Sequence, residues 1–536
     1  MRSDEFDFIV VGAGTAGCVL ASRLSESGRH SVLLLEAGPE NRSFWTRLPV
    51  GYARLFGNPR LNWRYVAGPE PELDGRRLDQ PCGRLIGGTG SINGMLYVRG
   101  QPQDYDGWAA RGNDGWGWDD VLPWFRRSEH HLRGADRFHG TGGPLWVSDP
   151  PRHELADAFV AAAEQAGHGR SDDFNGPTQQ GAGYYALNVR RGWRCSTATA
   201  YLAPARRRRN LTVATGALAT RIVFERGDAR AVEYRQRGAL RVARAAREIV
   251  VAAGAFNSPQ LLQVSGVGPA PLLQRLGVPV VFDAPGVGES LANHFRASLV
   301  VRCRCAVTHN DAMRSVWRRA AMAAQFALWR SGPLAAGTYA GGFFRSAPQH
   351  ERPDLQATFW TYSVARRDAG GVVLHPFPGF TINAVVLRPA SVGSVRAVSA
   401  DIGEAPRIVF NHLQAAQDRA TIVAGLRLMR DVVRQPALAP YAADELAPGD
   451  ACRDDAQLLT YARTHGNSVY HPVGSCRMGA DDAAVVDPRL RVRGVGRLRV
   501  ADASVMPSIV SGNTNAPTVM IAERAADWML RDAAAA

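Results

Sequence analysis

The chain has 536 residues, more than one hydrophobic core usually supports, so two domains are expected. An apolar content of 46 % with 8 % aromatics excludes a disordered chain, and no apolar run reaches the ~18 residues of a membrane span. The formal net charge is +14 with no lysine anywhere, so all 63 basic residues are arginine, which excludes a Schiff-base lysine and a lysine-bearing phosphate loop.

The arginines are interspersed among 49 acids, and the one tight run is Arg206–Arg209. This is a solvated arginine surface rather than a basic face with readout residues, and no nucleic-acid partner is expected. MRSDE at the N-terminus is charged and leads directly into strand and turn, so no signal peptide is read. The expectation is a cytoplasmic protein without a transmembrane segment, with peripheral membrane association left open. Seven cysteines, at 18, 82, 195, 303, 305, 452 and 476, form no CxxC pair. They read as reduced thiols, and no metal site is expected.

FDFIVVGAGTAGCVLASRLSESGRHSVLLLEAG, residues 6–38, reads as strand, glycine turn, helix and strand. Gly12, Gly14 and Gly17 fit a dinucleotide turn, with Thr15 and Ala16 opening the helix whose free N–H groups favour phosphate. Glu36, with Ala37 after it, ends the second strand where a carboxylate can accept from ribose hydroxyls. The motif does not choose between NAD and FAD.

CGRLIGGTGSINGMLYVRG, residues 82–100, is too rich in glycine and small polar residues for a helix or central strand. Here the chain resembles the glucose-methanol-choline (GMC) flavin oxidoreductases, whose first signature is a loop of this kind along the pyrophosphate and isoalloxazine. Gly87, Gly88, Ser91, Asn93 and Gly94 match it, with Met95 and Leu96 following; Thr89 and Gly90 stand where serines are common, and Cys82 replaces a frequent arginine. The family's histidine for covalent attachment falls at Ile92, so the resemblance implies non-covalent FAD. It also implies an α/β fold, with a Rossmann-type FAD-binding domain (1–155, 190–297 and 463–536). The rest is an antiparallel-sheet-plus-helices substrate domain (156–189 and 298–462).

The likeness continues along the chain. Residues 104–125 are similar to the stretch after the first signature. NLTVATGALATRIVF, 210–224, resembles the strand pair holding adenine and places Val213 there. GAFNSPQLLQVSGVGP, 254–269, matches the second signature and adds Ala253, Gly254 and Ser258 to the cofactor contacts. In the middle segment alternating patterns suit an antiparallel sheet, with a helical stretch near 311–330. Alternation sends Trp360 and Tyr362 to one face and Phe359 to the other. Trp360, Tyr362 and Tyr470 are the expected pocket aromatics, which favour an apolar or aryl alcohol over a sugar.

YHPVGSC, residues 470–476, admits four readings by itself: a metal pair, a Cys–His nucleophile, a buried turn or an isolated base. No further ligands complete a metal set, and no second base is indicated for Cys476. The resemblance places His471 and Asn515 at the flavin N5. A neutral imidazole can take an alcohol proton near neutral pH, and the amide can orient the developing alkoxide. The same resemblance puts Asp502 and Ala503 on the ribityl–pyrophosphate portion and Pro517 and Thr518 at the helix start by the flavin N1 edge. Asn513 is left to shape the loop or touch the flavin. The expected activity is FAD-dependent oxidation of a primary alcohol to the aldehyde, with O2 or a quinone-type carrier as electron acceptor. A choline-type dehydrogenase, a hydroxynitrile lyase and a flavin-binding protein without turnover are the rivals.

Overall fold

The computed structural model describes residues 4–368 and 371–535. Strands Asp4–Val11, Val32–Glu36 and Leu211–Thr215 lie in parallel, flanked on the other side by the long strand Ala239–Val251. Phe8, Ile9, Val10, Leu34 and Val250 are wholly buried, the run of apolar residues that a strand covered on both faces requires. Beyond them the sheet becomes antiparallel through Asp228–Gln236 and Ala217–Glu225, while Leu498–Val500 joins Ala239–Val251 in parallel. The late strand brings the C-terminal region to the nucleotide end of the sheet. This is the Rossmann-type architecture expected.

The first helix, Thr15–Leu24, packs against strand Asp4–Val11 and the turn after it only because residue 17 is glycine. A Cβ there would lie 1.8 Å from the Gly12 carbonyl oxygen. The same helix meets the last helix, Asn515–Ala535, through an ion pair of Arg23 with buried Glu523 at 2.9 Å.

A second sheet is fully antiparallel: Ala442–Ala447, Phe295–Cys303, Gly379–Val386, Leu355–Trp360, Ala340–Phe344 and Gly181–Tyr184, in that order. Its core face carries Phe295, Ala297, Leu299, Leu355, Ala357 and Phe359 beneath helix Ala416–Val433. Gly425 lets that helix press on the sheet, since a Cβ would come within 2.9 Å of Leu355 Cδ2. The opposite face carries Arg296, Ser298, Thr358 and Trp360 toward the Rossmann half. Phe359 and Trp360 thus part company as alternation requires. The helical stretch near 311–330 is present as His309–Arg314 and Val316–Trp329.

Candidate active site

One cavity runs between the two sheets, from Gly12 and Glu36 past the second glycine loop to His471. Glu36 is fixed at its far end by the N–H groups of Ala13 (2.9 Å) and Gly38 (2.8 Å). Burial nevertheless pushes its carboxyl up to about 7. The two glycine loops lie on each other. Gly87 N–H donates to Ala13 C=O at 2.6 Å, and a Cβ on Gly88 would meet Gly14 Cα at 2.7 Å.

Most expected cofactor residues line this cavity: Thr15, Ala16, Ala37, Asn93, Met95, Leu96, Ala253, Ala503 and Thr518 among them, with Gly12, Gly14, Gly88, Gly94, Gly254 and Asp502. Six do not, and each has a structural reason. Gly17 serves helix–strand packing, and Gly87 with φ +90° turns the loop from behind. Ser91 Oγ bonds the Ile86 carbonyl and receives the Asn41 amide. Val213 pairs with Leu34 and packs into the sheet, so Ala217, Leu218 and Ala219 of the next strand reach the cavity instead. Ser258 Oγ donates to Asp502 at 2.6 Å. Pro517 is buried in the first turn of the last helix. Asp502 itself is an organiser, since its carboxylate also accepts from Gly254 N–H and Ser504 N–H, both at 2.8 Å.

At the other end, His471 sits between two partners. Its Nδ1 is 2.9 Å from Nδ1 of His294, and its Nε2 is 3.0 Å from Nδ2 of Asn513. The protons follow from the chemistry of the outermost group. The Leu387 carbonyl, 2.9 Å from His294 Nε2, can only accept, so that nitrogen carries hydrogen. Burial holds His294 down at about 4, so at neutral pH its Nδ1 is a bare acceptor. His471 Nδ1 then carries the hydrogen it shares with His294, and Nε2 is left with a lone pair facing the cavity. Burial, and secondarily His294, push the His471 imidazole well below its ordinary range. The amide orientation agrees: Asn513 Oδ1 accepts from Gln356 Nε2 at 3.4 Å, turning Nδ2 toward the ring.

The backbone around the base is held by its neighbours. Tyr470 adopts φ +68°, a left-handed conformation uncommon for a bulky residue, and its N–H is tied to Ser468 Oγ at 2.9 Å. The His471 N–H donates to Asn293 Oδ1 at 2.8 Å. Cys476 is buried away from this pair, and burial raises its thiol well above the ordinary range, so it is no thiolate nucleophile.

Asn513, read from sequence as loop-shaping or flavin-contacting, is the amide that meets His471 Nε2. Asn515, read as the alkoxide donor, heads the last helix; its Oδ1 accepts from Thr15 Oγ1 at 2.9 Å and its Nδ2 reaches Asn188 Oδ1 at 3.5 Å. It ties two helix N-termini together on the cavity wall. His294 was not foreseen, and its only sequence signal is a histidine opening an apolar alternating strand.

Trp360, Tyr362 and Tyr470 all line the cavity, joined by Tyr52 and Phe56. Trp360 and Tyr362 stack at 5.3 Å, Tyr52 Oη is 3.1 Å from Tyr362 Oη, and Phe56 meets Tyr470 edge-on at 5.8 Å. Arg296 is the cation on this wall, its guanidinium 4.9 Å from the Trp360 ring and its Nη1 donating to Ser298 and Asn383.

The GMC oxidoreductase family matches residues 6–296 with its N-terminal part and 389–522 with its C-terminal part. The chain belongs to the GMC oxidoreductase family. It is 42 % identical over 534 residues to the oxygen-dependent choline dehydrogenase of Pseudomonas putida (strain GB-1), covering 98 % of this chain and 94 % of that protein. The enzyme of that name from Pectobacterium atrosepticum is 41 % identical, covering 98 % and 95 %. Among solved structures, pyridoxine 4-oxidase from Mesorbium loti superposes with a TM-score of 0.89 at 30 % identity, over 98 % of this chain and 99 % of that one. A fungal aryl-alcohol oxidase shares the fold, with a TM-score of 0.86 at 23 % identity over 99 % and 100 %.

GMC oxidoreductases depend on FAD, and the cavity of this one fits that cofactor. At Gly14 and Gly94, both on its wall, an added Cβ would meet a single protein atom each, at 3.8 and 3.5 Å, and at Gly254 none within 4 Å. Side chains there would project into the space a cofactor fills. Gly12, Gly14, Glu36, Gly88 and Ala503 would hold the dinucleotide, and the N-terminus of helix Asn515–Ala535 would face the charge that accumulates on a reduced flavin.

The buried histidine pair has a consequence for stability. His294 titrates near 4 when folded and near 6.5 when unfolded. Between those values the unfolded chain binds the extra proton, so this contribution to stability falls as pH drops below about 6.5, by up to ~1.4 kcal/mol per pH unit. The fall in urea midpoint from neutral pH to the acid side is therefore expected to be smaller in His294→Gln than in the native protein. An equal fall in both would show that His294 is charged when folded.

Proposed function

We propose that this GMC enzyme oxidises a primary alcohol, apolar or aryl, to its aldehyde, with the neutral His471 as base. One observation carries the reading: the hydrogen-bond chain from Leu387 through His294 leaves the His471 Nε2 lone pair facing the cavity. An alcohol hydroxyl entering the site replaces the Asn513 amide at Nε2 and gives its proton there. The amide then donates to the alcohol oxygen and holds the C–H in one orientation. His471 is a weak base in its buried setting, so it accepts the proton only as negative charge develops beside it. That arrangement ties proton loss to C–H cleavage. Bound FAD supplies the hydride acceptor, and O2 or a quinone-type carrier takes the electrons onward. Ile92 offers only carbon where a covalent link would need a nucleophile, which supports non-covalent binding.

The aromatic wall supports an aryl or apolar alcohol. A choline-type substrate is the second reading, supported by the names of the curated relatives. Against it stands Arg296, a permanent cation on the same wall, which a quaternary ammonium would approach with like charge. The test is anaerobic bleaching of the flavin by a panel of benzyl alcohols, short alkanols, sugars and choline. A benzyl alcohol is expected to bleach on the order of tenfold faster than choline at equal concentration. If choline is fastest, the choline-type reading replaces this one.

A further inference from the structure

The helix Val316–Trp329 is apolar on the side that faces water. Its inward stripe is Met322 and Phe326, four residues apart, and Phe326 packs edge-on against Trp193 at 5.0 Å. At about 100° per residue, Trp317, Ala320, Ala321, Ala324 and Leu328 share the opposite face, and all five are exposed. Trp317 is 85 % exposed, Leu328 70 % and the terminal Trp329 69 %. A helix lying on its own domain normally turns a polar face to water. Here Arg318, Arg319 and Gln325 are the polar residues of the whole helix.

The patch extends beyond the helix. Phe44 and Trp45, 55 % and 41 % exposed, adjoin it through Trp193, which Phe44 meets at 5.9 Å. The rim is basic. Arg314, Arg318 and Arg319 are exposed, Arg47 and Arg330 lie 5.1 and 4.8 Å over the Trp193 ring, and Arg54 lies 5.5 Å over Trp45. From 41 to 69 the sequence has no acid, and from 308 to 345 its one acid is Asp311, buried against Thr308.

We propose that this face docks the enzyme on an anionic lipid bilayer. A second copy related by a two-fold axis would bring arginine against arginine, because such an interface must be complementary to itself. An anionic bilayer matches both features. Tryptophans at the two ends of the helix suit the headgroup level, the alanine and leucine face enters the acyl boundary, and the arginines reach the phosphates. Among the described residues no helix is long and apolar enough to cross a membrane, so the helix lies in the interface. Tyr52 and Phe56, just after the Phe44–Arg47 turn, line the cavity, so the docked face adjoins the aromatic wall of the site.

The test is co-sedimentation of the full-length FAD-loaded enzyme with vesicles of phosphatidylcholine alone or mixed equally with phosphatidylglycerol. Binding to the mixed vesicles is expected, weakened by salt. Trp317→Ser with Leu328→Ser and Trp329→Ser should weaken it about tenfold or more while bleaching by a water-soluble alcohol is unchanged, which shows the variant folded. Arg314→Gln with Arg318→Gln and Arg319→Gln should remove most of the preference for the anionic vesicles. Absence of binding to either vesicle overturns the proposal. So does a dimer, seen by light scattering, that the three serine substitutions dissociate.

Discussion

Replacing His471 by alanine is expected to leave FAD bound and to slow anaerobic flavin bleaching by the alcohol about 10²–10⁴-fold, the range for a lost general base. Retention follows from the cavity's layout. The dinucleotide end is built from Gly12, Glu36, Gly88 and Ala503, none of which leans on the imidazole. Loss of rate follows from the hydrogen-bond chain, because it leaves the His471 Nε2 lone pair, an imidazole that can bind a proton, beside Asn513. His294 cannot substitute, since its Nε2 hydrogen is committed to Leu387 and its ring lies behind His471. The flavin-to-protein absorbance ratio of the purified variant and its stopped-flow bleaching rate check the two halves separately. A variant that keeps FAD and bleaches at the native rate removes His471 from the chemistry.

The second large effect separates the two asparagines. Asn513→Ala is expected to slow bleaching by about 10²–10³-fold, as for a lost oxyanion donor. Asn515→Ala is expected to lower bleaching by less than about tenfold and instead to weaken FAD retention. The reason is that its side chain joins Thr15 on the first helix to the start of the last one. Measuring the bleaching rate and FAD content of both variants decides the matter. If Asn515→Ala is the slower at saturating alcohol, the oxygen of the substrate sits on Asn515 and not on Asn513.

Gly12, Gly17 and Glu36 are legible because a strand, a turn and a helix in fixed succession leave each a single place. Phe359 and Trp360 are separable because a strand has a period of two. The contact of His471 with His294 spans 177 residues and arises from the pairing of Phe295 with Ser468, which no local pattern encodes. Asn513 and Asn515 lie two apart where a loop becomes a helix, and neither periodicity governs there. Val213, Gly87, Ser91 and Ser258 show a different limit. A motif marks residues needed to build a site, and it does not separate those that line the cavity from those that hold up its wall. Arg296 and the outward face of helix Val316–Trp329 carried no motif, and became visible only when strand and helix faces were set against what surrounds them.

In the proposed chemistry His471 takes a proton from an alcohol whose C–H bond breaks in the same site. The decisive experiment mixes the holoenzyme anaerobically with a benzyl alcohol, unlabelled and then deuterated at the carbinol carbon, while flavin absorbance is followed. Bleaching that slows several-fold with the deuterated alcohol, and disappears in His471→Ala, is the expected result. No bleaching by any alcohol, together with cyanide release from mandelonitrile, would contradict the account and leave a lyase that keeps its flavin without using it.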